Sequence, residues 1–194
     1  MSIQQRVKEI LAAEVEAIQN IKIDQSIEEA VNIILKCQGT VFTTGIGKAG
    51  YLARKIASTF STTGTPSAFL HPAEAPHGDI GVIKNGDILI AYSNSGKTRE
   101  VIETVRLGRA LGITAVISVV GTRESELGEL SDLCLEIGKI KEPCPLGFTP
   151  TASAIAMIAI SDALALAIME ERGITKEDFA LRHHGGYLGE QARK

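Results

Sequence analysis

Two short runs constrain this chain more than anything else in it. Residues 87–92 (DILIAY) and 114–120 (TAVISVV) are apolar at nearly every position. A strand of that kind has no polar face for water, so it must be covered on both sides, as in a parallel sheet. Parallel strands need long crossovers, and helical segments lie where crossovers are required. Residues 48–61 and 98–111 read as helices, the latter closed by Gly112. Short strands are expected at 40–44 (TVFTT), 67–70 and 133–137. Further helices are expected at 2–20, after Ser26, at 150–171 and at 175–181. In such a fold ligands sit at the carboxyl ends of the strands, where strand order reverses.

The 194 residues suit one domain, with 1–22 as a helical arm and 23–194 as the core. Hydrophobic residues make up 44% and charged residues 22%, which excludes global disorder. The net charge is -3 with no basic stripe, and aromatics are 4% without tryptophan, so no nucleic-acid partner is expected. Cys37, Cys134 and Cys144 match no CxxC pattern and read as reduced thiols of a cytoplasmic protein, with Cys144 an inert buried thiol. The first 20 residues are amphipathic and charged, unlike a leader peptide. The apolar stretch 152–169 is interrupted by Ser153, Ser161 and Asp162, so it reads as a core or interface helix rather than a membrane span.

Two phosphate-loop patterns are incomplete. Residues 45–50 (GIGKAG) fit GxGxxG after a strand, but the next strand ends Phe69-Leu70-His71 without the acid a dinucleotide ribose needs. Gly45 and Gly47 therefore read as a tight turn letting backbone approach a ligand. Residues 91–98 (AYSNSGKT) nearly fit a nucleotide-hydrolase loop, yet Ala91 replaces its first glycine and no strand-end acid for magnesium follows. The loop keeps the chemistry of a metal-free phosphate site: it opens a helix, and Ser93, Ser95 and Thr98 add hydroxyls to its free N–H groups. A plain helix cap by Ser95 or Thr98 would need only one of them.

With SNSGKT in this place the chain resembles the sugar isomerase (SIS) family. Four more stretches sharpen the likeness: 45–50, 71–79 (HPAEAPHGD), 141–147 (KEPCPLG) and 177–181 (EDFAL) with His183 and Gly185-Gly186. In order and spacing they resemble the D-arabinose-5-phosphate isomerases within it. Lys97 stands where the family has an acidic or small polar residue. His184 stands where a proline is common, and the two CBS domains many members carry are not present in these 194 residues. The resemblance implies an α/β, three-layer αβα sandwich with a five-stranded parallel sheet of flavodoxin-like topology. It implies an aldose–ketose isomerase that interconverts D-arabinose 5-phosphate and D-ribulose 5-phosphate through an enediol, in synthesis of the lipopolysaccharide sugar Kdo. No cofactor is implied, and a homotetramer is.

That reaction needs a base, an acid and a stabiliser of negative oxygen. The resemblance assigns catalysis to Lys48, Glu100, Glu142 and His183, with Glu142 the first choice as base and His183 opening the sugar ring or exchanging roles with it. It lets His183 come from a neighbouring subunit. Substrate contacts fall to Gly45, Gly47, Ser93, Asn94, Ser95, Thr98 and His77. His71, Glu74, His77 and Asp79 have a metal-like spacing on a proline-broken loop; the resemblance makes His77 a ligand for inhibitory zinc, with no metal required. Rival expectations are a heptose-phosphate isomerase of the same superfamily, and a non-catalytic sensor binding a phosphosugar or a Kdo nucleotide in the same cleft.

Overall fold

The computed structural model describes residues 1–193. The chain runs α1 (Ile3–Gln19), α2 (Gln25–Leu35), β1 (Val41–Thr44), α3 (Lys48–Thr62), β2 (Ser67–Phe69), β3 (Ile88–Ser93), α4 (Arg99–Ala110), β4 (Ala115–Val120), α5 (Glu126–Glu129), β5 (Leu133–Glu136), α6 (Ala152–Glu171), α7 (Lys176–Arg182) and α8 (Gly186–Ala192). Two single-turn 3-10 helices, Ala75–His77 and Asp79–Val82, fill the connection from β2 to β3. All strand pairs are parallel, in the order β2-β1-β3-β4-β5. The order reverses between β1 and β3, which places the ligand crevice at their carboxyl ends.

The central strands alternate between two cores. Ile88, Ile90 and Tyr92 of β3 face one side with Ile56 and Phe60 of α3 and Met157, Ile160 and Leu164 of α6. Leu89 and Ala91 face the other, with Val101, Ile102 and Val105 of α4 and Leu127 of α5. The result is a three-layer αβα sandwich. Period-2 alternation of wholly apolar residues supplies both faces at once.

Several local details differ from the sequence reading. Ser26 lies inside α2; its cap is Asp24, whose carboxylate accepts from Ser26 N at 2.9 Å. Asp87 precedes β3 rather than opening it, because its buried carboxylate accepts from Thr40 N at 2.7 Å and Lys84 N at 2.8 Å. The apolar period of α1 marks a helix but not its packed side. Ile3, Val7, Leu11 and Ile18 are exposed, while Ala17 is buried and Ile10 half-buried along the flank that meets α6. Gly96 admits Ser125, the cap of α5, and Gly121 lies against Asn94; α5 itself is too short to announce itself by period.

α6 is apolar all round and, by length and composition alone, long enough to cross a membrane; half of its most apolar stretch is buried inside the fold. Ser161, which interrupts the apolar run, accepts a 3.0 Å bond from the buried Tyr92 hydroxyl and donates to Met157 O at 2.7 Å. Asp162 pairs with Lys55 of α3. That pair is partly exposed and worth about 0.2–1 kcal/mol.

Candidate active site

The turn from β1 to α3 is built from glycines for separate reasons. A Cβ on Gly45 would lie 2.8 Å from Ala49 O, and one on Gly50 would lie 2.7 Å from Gly45 O. Strand and helix thus touch backbone to backbone. Gly47 instead has φ 60° and ψ -131°, a conformation open to glycine, with nothing within 4 Å of its missing side chain. Lys48 follows as the first residue of α3 and is exposed.

The loop from β3 to α4 closes on itself. Ser93 Oγ lies 2.8 Å from Thr98 Oγ1 and accepts from Gly96 N at 3.1 Å. Ser95 Oγ accepts from Lys97 N at 3.2 Å. Asn94 O accepts from Gly121 N at 2.9 Å, anchoring the loop to the end of β4. Thr98 stands at the cap position of α4 yet makes no side-chain cap bond. Its hydroxyl is directed at Ser93, and the simple capping explanation for this loop is not what the fold uses.

These two turns and α6 enclose a cavity of about 320 Å³. Lys48, Ala49 and Leu52 form one wall; Tyr92 and the loop residues Ser93, Asn94, Ser95 and Thr98 form the floor; Ser153, Ala154 and Met157 of α6 form the other wall. Lys48 is the one cation among the described lining residues. Lys97 lies elsewhere, in an outer hollow on α4 with Arg99, Glu103 and Arg106.

Glu142 sits directly behind the α6 wall and is only 8% exposed. Its Oε2 accepts from Thr151 N at 2.8 Å and Ala152 N at 3.0 Å. Its Oε1 accepts from Ser153 N at 3.3 Å and from the Ser153 hydroxyl. A carboxylate nine residues upstream thus caps α6 at its positive end. Thr151, the nominal cap residue, makes no side-chain cap bond, and its hydroxyl is buried without a partner.

Cys144, two residues on, departs from the inert buried thiol expected of it. It is half-buried, and the backbone N–H groups of Thr149 and Phe148, both 3.2 Å from Sγ, bring its thiol down to about 7. Cys37 and Cys134 go the other way, their thiols pushed up by burial.

The remaining candidates do not line the cavity. Glu100 is exposed in the first turn of α4. His77 is exposed on the turn Ala75–His77, in a segment held across α4 by a 3.3 Å bond from Thr104 Oγ1 to Pro72 O. Among the described residues no three His, Cys, Asp or Glu side chains gather as a metal site, so the HxxExxHxD segment does not converge.

His183 lies at the opposite end of the molecule. α6 has 20 residues and spans about 30 Å, from the cavity wall to the amino ends of the strands. There Arg172 Nη2 donates to Ile34 O at 3.4 Å, and Ile174 packs on Gly64. His183 closes α7 beyond that point, its ring stacked on Phe179 at 5.5 Å, with Nδ1 buried and unpartnered. The same chain cannot bring His183 to its own cavity in this fold.

The sequence reading did not single out Tyr92, Ser153 or Met157 as lining residues. Tyr92 directly precedes the serine loop, so its place in the floor follows from strand continuity. Ser153 showed only as an interruption in an apolar run, and its role depends on where Glu142 lands.

Comparison with known proteins agrees with this geometry. Residues 34–167 match the SIS domain family. The chain is 43% identical over 188 residues to arabinose 5-phosphate isomerase KdsD of Escherichia coli K12, covering 96% of this chain and 57% of that protein. It is 44% identical over 168 residues to the protein of the same name from Pseudomonas aeruginosa, covering 87% and 51%. The chain therefore spans little more than half the length of these curated relatives. The structure of Escherichia coli CFT073 c3406 in complex with arabinose 5-phosphate superposes with a TM-score of 0.88 at 36% identity, over 94% of this chain and 100% of that one. The parallel sheet, the serine loop at its switch point and these matches agree: the chain belongs to the SIS domain family.

Proposed function

We propose that this protein is an aldose–ketose isomerase interconverting D-arabinose 5-phosphate and D-ribulose 5-phosphate through an enediol. The observation that carries the reading is one cavity at the β1/β3 switch point. It combines the Ser93–Thr98 hydroxyl pair, the uncapped start of α4, the Lys48 ammonium and a wall backed by Glu142. The relatives named arabinose 5-phosphate isomerase, and the neighbour solved with arabinose 5-phosphate, support the choice of sugar.

In this reading the phosphate sits on the serine loop and the first turn of α4, with Ser93, Asn94, Ser95 and Thr98 around it. Gly45 and Gly47 let the β1–α3 turn approach the sugar. Binding at the phosphate, remote from the reacting carbons, holds C1 and C2 near Lys48. Glu142 takes the C2 proton as the C–H electron pair becomes the enediol double bond and O1 gains a proton; the enediol then gives up its O2 proton as C1 is protonated, leaving the ketone at C2. Lys48 stabilises the charge that develops on the carbonyl oxygen. Glu100 is the second carboxylate, and His183 opens the ring. The steps move protons only and call on no cofactor.

Because His183 lies at the far end of its own chain, we propose that it reaches the cavity of a neighbouring copy, in a homotetramer. His77, on the exposed turn Ala75–His77 outside the cavity lining, is the residue we assign to inhibitory zinc. We read the chain as one domain with residues 1–22 as an arm along α6. It works in the cytoplasm, in synthesis of Kdo, without nucleic-acid or membrane partners.

The test is turnover of arabinose 5-phosphate by EDTA-treated protein, with ribose 5-phosphate and sedoheptulose 7-phosphate alongside. Ribulose 5-phosphate from the arabinose ester alone supports the reading. Turnover of the heptose ester, or binding of an ester or a Kdo nucleotide with no turnover, replaces it with another isomerase or a sensor.

A further inference from the structure

Glu142 reaches four donors, and they are not equivalent. Three are backbone N–H groups of Thr151, Ala152 and Ser153, fixed by the start of α6. The fourth is the Ser153 hydroxyl on Oε1. A carboxylate offers about four lone-pair positions, so Oε1 can take a proton only when the Ser153 hydroxyl turns away from it. Backbone donors cannot turn without unwinding the helix, whereas a hydroxyl rotates about one bond. Ser153 is also the one residue of the four-donor set that lines the cavity, and it is only 1% exposed.

The local cap shows that this arrangement is not the simplest way to start a helix. Thr151 has a hydroxyl at the cap position, and threonine is a good cap residue. Yet that hydroxyl is buried without a partner, while Glu142 accepts from Ser153 N, one of the two N–H groups a cap at 151 would take. Leaving a buried hydroxyl unpaired costs stability. The fold tolerates that cost and holds a carboxylate against the cavity wall.

We propose that Ser153 is a positioning residue for the reaction. Its hydroxyl aims Oε1 of Glu142 through the α6 wall toward the cavity, while the Thr151 and Ala152 amides hold Oε2 from behind. Without that bond the carboxylate pivots on its Oε2 contacts and loses its alignment with the sugar. The inference rests on the isomerase reading and on Glu142 as its base, and it concerns how that base is held.

The test is steady-state kinetics on arabinose 5-phosphate for wild type, Ser153→Ala, Ser153→Thr, Glu142→Gln and the double variant Glu142→Gln with Ser153→Ala, with Tm measured on each. A misaligned catalytic group costs about 10- to 100-fold in rate. Ser153→Ala is expected to lose that factor in kcat, with KM within about threefold of wild type. Ser153→Thr keeps the hydroxyl and is expected to restore most of kcat. In the Glu142→Gln background the same Ser153→Ala change costs less than about threefold, because its effect passes through the carboxylate. A helix-cap role alone would lower Tm and leave kcat untouched, which overturns the proposal. So does an equal loss of kcat in both backgrounds, or a Ser153→Thr enzyme as slow as Ser153→Ala. A wild type with no turnover overturns the isomerase reading and this inference together; an active wild type matched by an equally active Ser153→Ala overturns only the inference.

Discussion

Removing Glu142 should destabilise the protein whatever the chain catalyses. Glu142→Ala strips the acceptor from three N–H groups and one hydroxyl at the start of α6, where the side chain is 8% exposed. A hydrogen bond to a charged group is worth about 1.5–3 kcal/mol, and an anion at a partly buried helix start adds up to about 2. These contributions overlap, because all four donors meet one carboxylate and water reaches some of them in the variant. Breaking a buried charged network typically costs about 3–5 kcal/mol, which is the range expected here. For a chain of 194 residues the unfolding entropy near Tm is about 0.4 kcal/mol per degree. Tm should therefore fall by about 7–12 °C. Glu142→Gln keeps one acceptor oxygen but sets an NH2 group against backbone N–H groups, so it should fall between wild type and Glu142→Ala. Thermal unfolding followed by circular dichroism at one pH and protein concentration reads all three. A Glu142→Ala protein melting within 2 °C of wild type would refute the claim that this carboxylate is the cap of α6.

Other substitutions separate the remaining contributions. Gly47→Ala adds a side chain with nothing within 4 Å of it, so its cost is backbone strain alone at φ 60°, about 1–3 kcal/mol, read as a lower Tm. Thr98→Val removes the hydroxyl that faces Ser93 at 2.8 Å; KM for the phosphosugar should rise about tenfold with kcat little changed. Cys144 should alkylate with iodoacetamide along a titration centred near pH 7, while Cys37 and Cys134, their thiols raised by burial, stay unmodified there; peptide mass mapping reads the sites. Asp24 is held well below the usual carboxylate range by the Ser26 hydroxyl and Lys22. Its folded pKa is depressed, so its stabilisation is complete above the unfolded value near 4 and fades as pH falls toward the folded one. The Tm gap between wild type and Asp24→Ala should accordingly be constant at neutral pH and close below about pH 4.

Much of this protein is legible in one dimension. The doubly apolar runs at 87–92 and 114–120 could become little other than buried parallel strands, and β3 and β4 lie within them. GIGKAG and SNSGKT declare themselves because turns that bring backbone to a ligand use few residue types, and both flank the cavity. α5 escaped because four residues are too few for a 3.6-residue period to register, and α8 escaped because it opens on Gly186 and carries Gly189, both poor helix formers. The buried side of α1 escaped too, because helix period says where apolar residues align but not which flank a neighbour covers.

Local patterning shows the buried strands, the helical crossovers between them and the loop chemistry, since these depend on neighbours a few residues apart; which strands pair, and so where their order reverses, is set only in three dimensions. Tertiary structure decided where the site's own candidate groups went. Glu142 became the cap of a helix that starts ten residues later, and Cys144 met two amide groups of its own loop. His183 was carried by the length of α6 to the end of the molecule away from the serine loop. A side chain's protonation and reach depend on which donors and charges surround it in space. Contacts between residues far apart in the chain are set when the layers pack, and no local spacing encodes them.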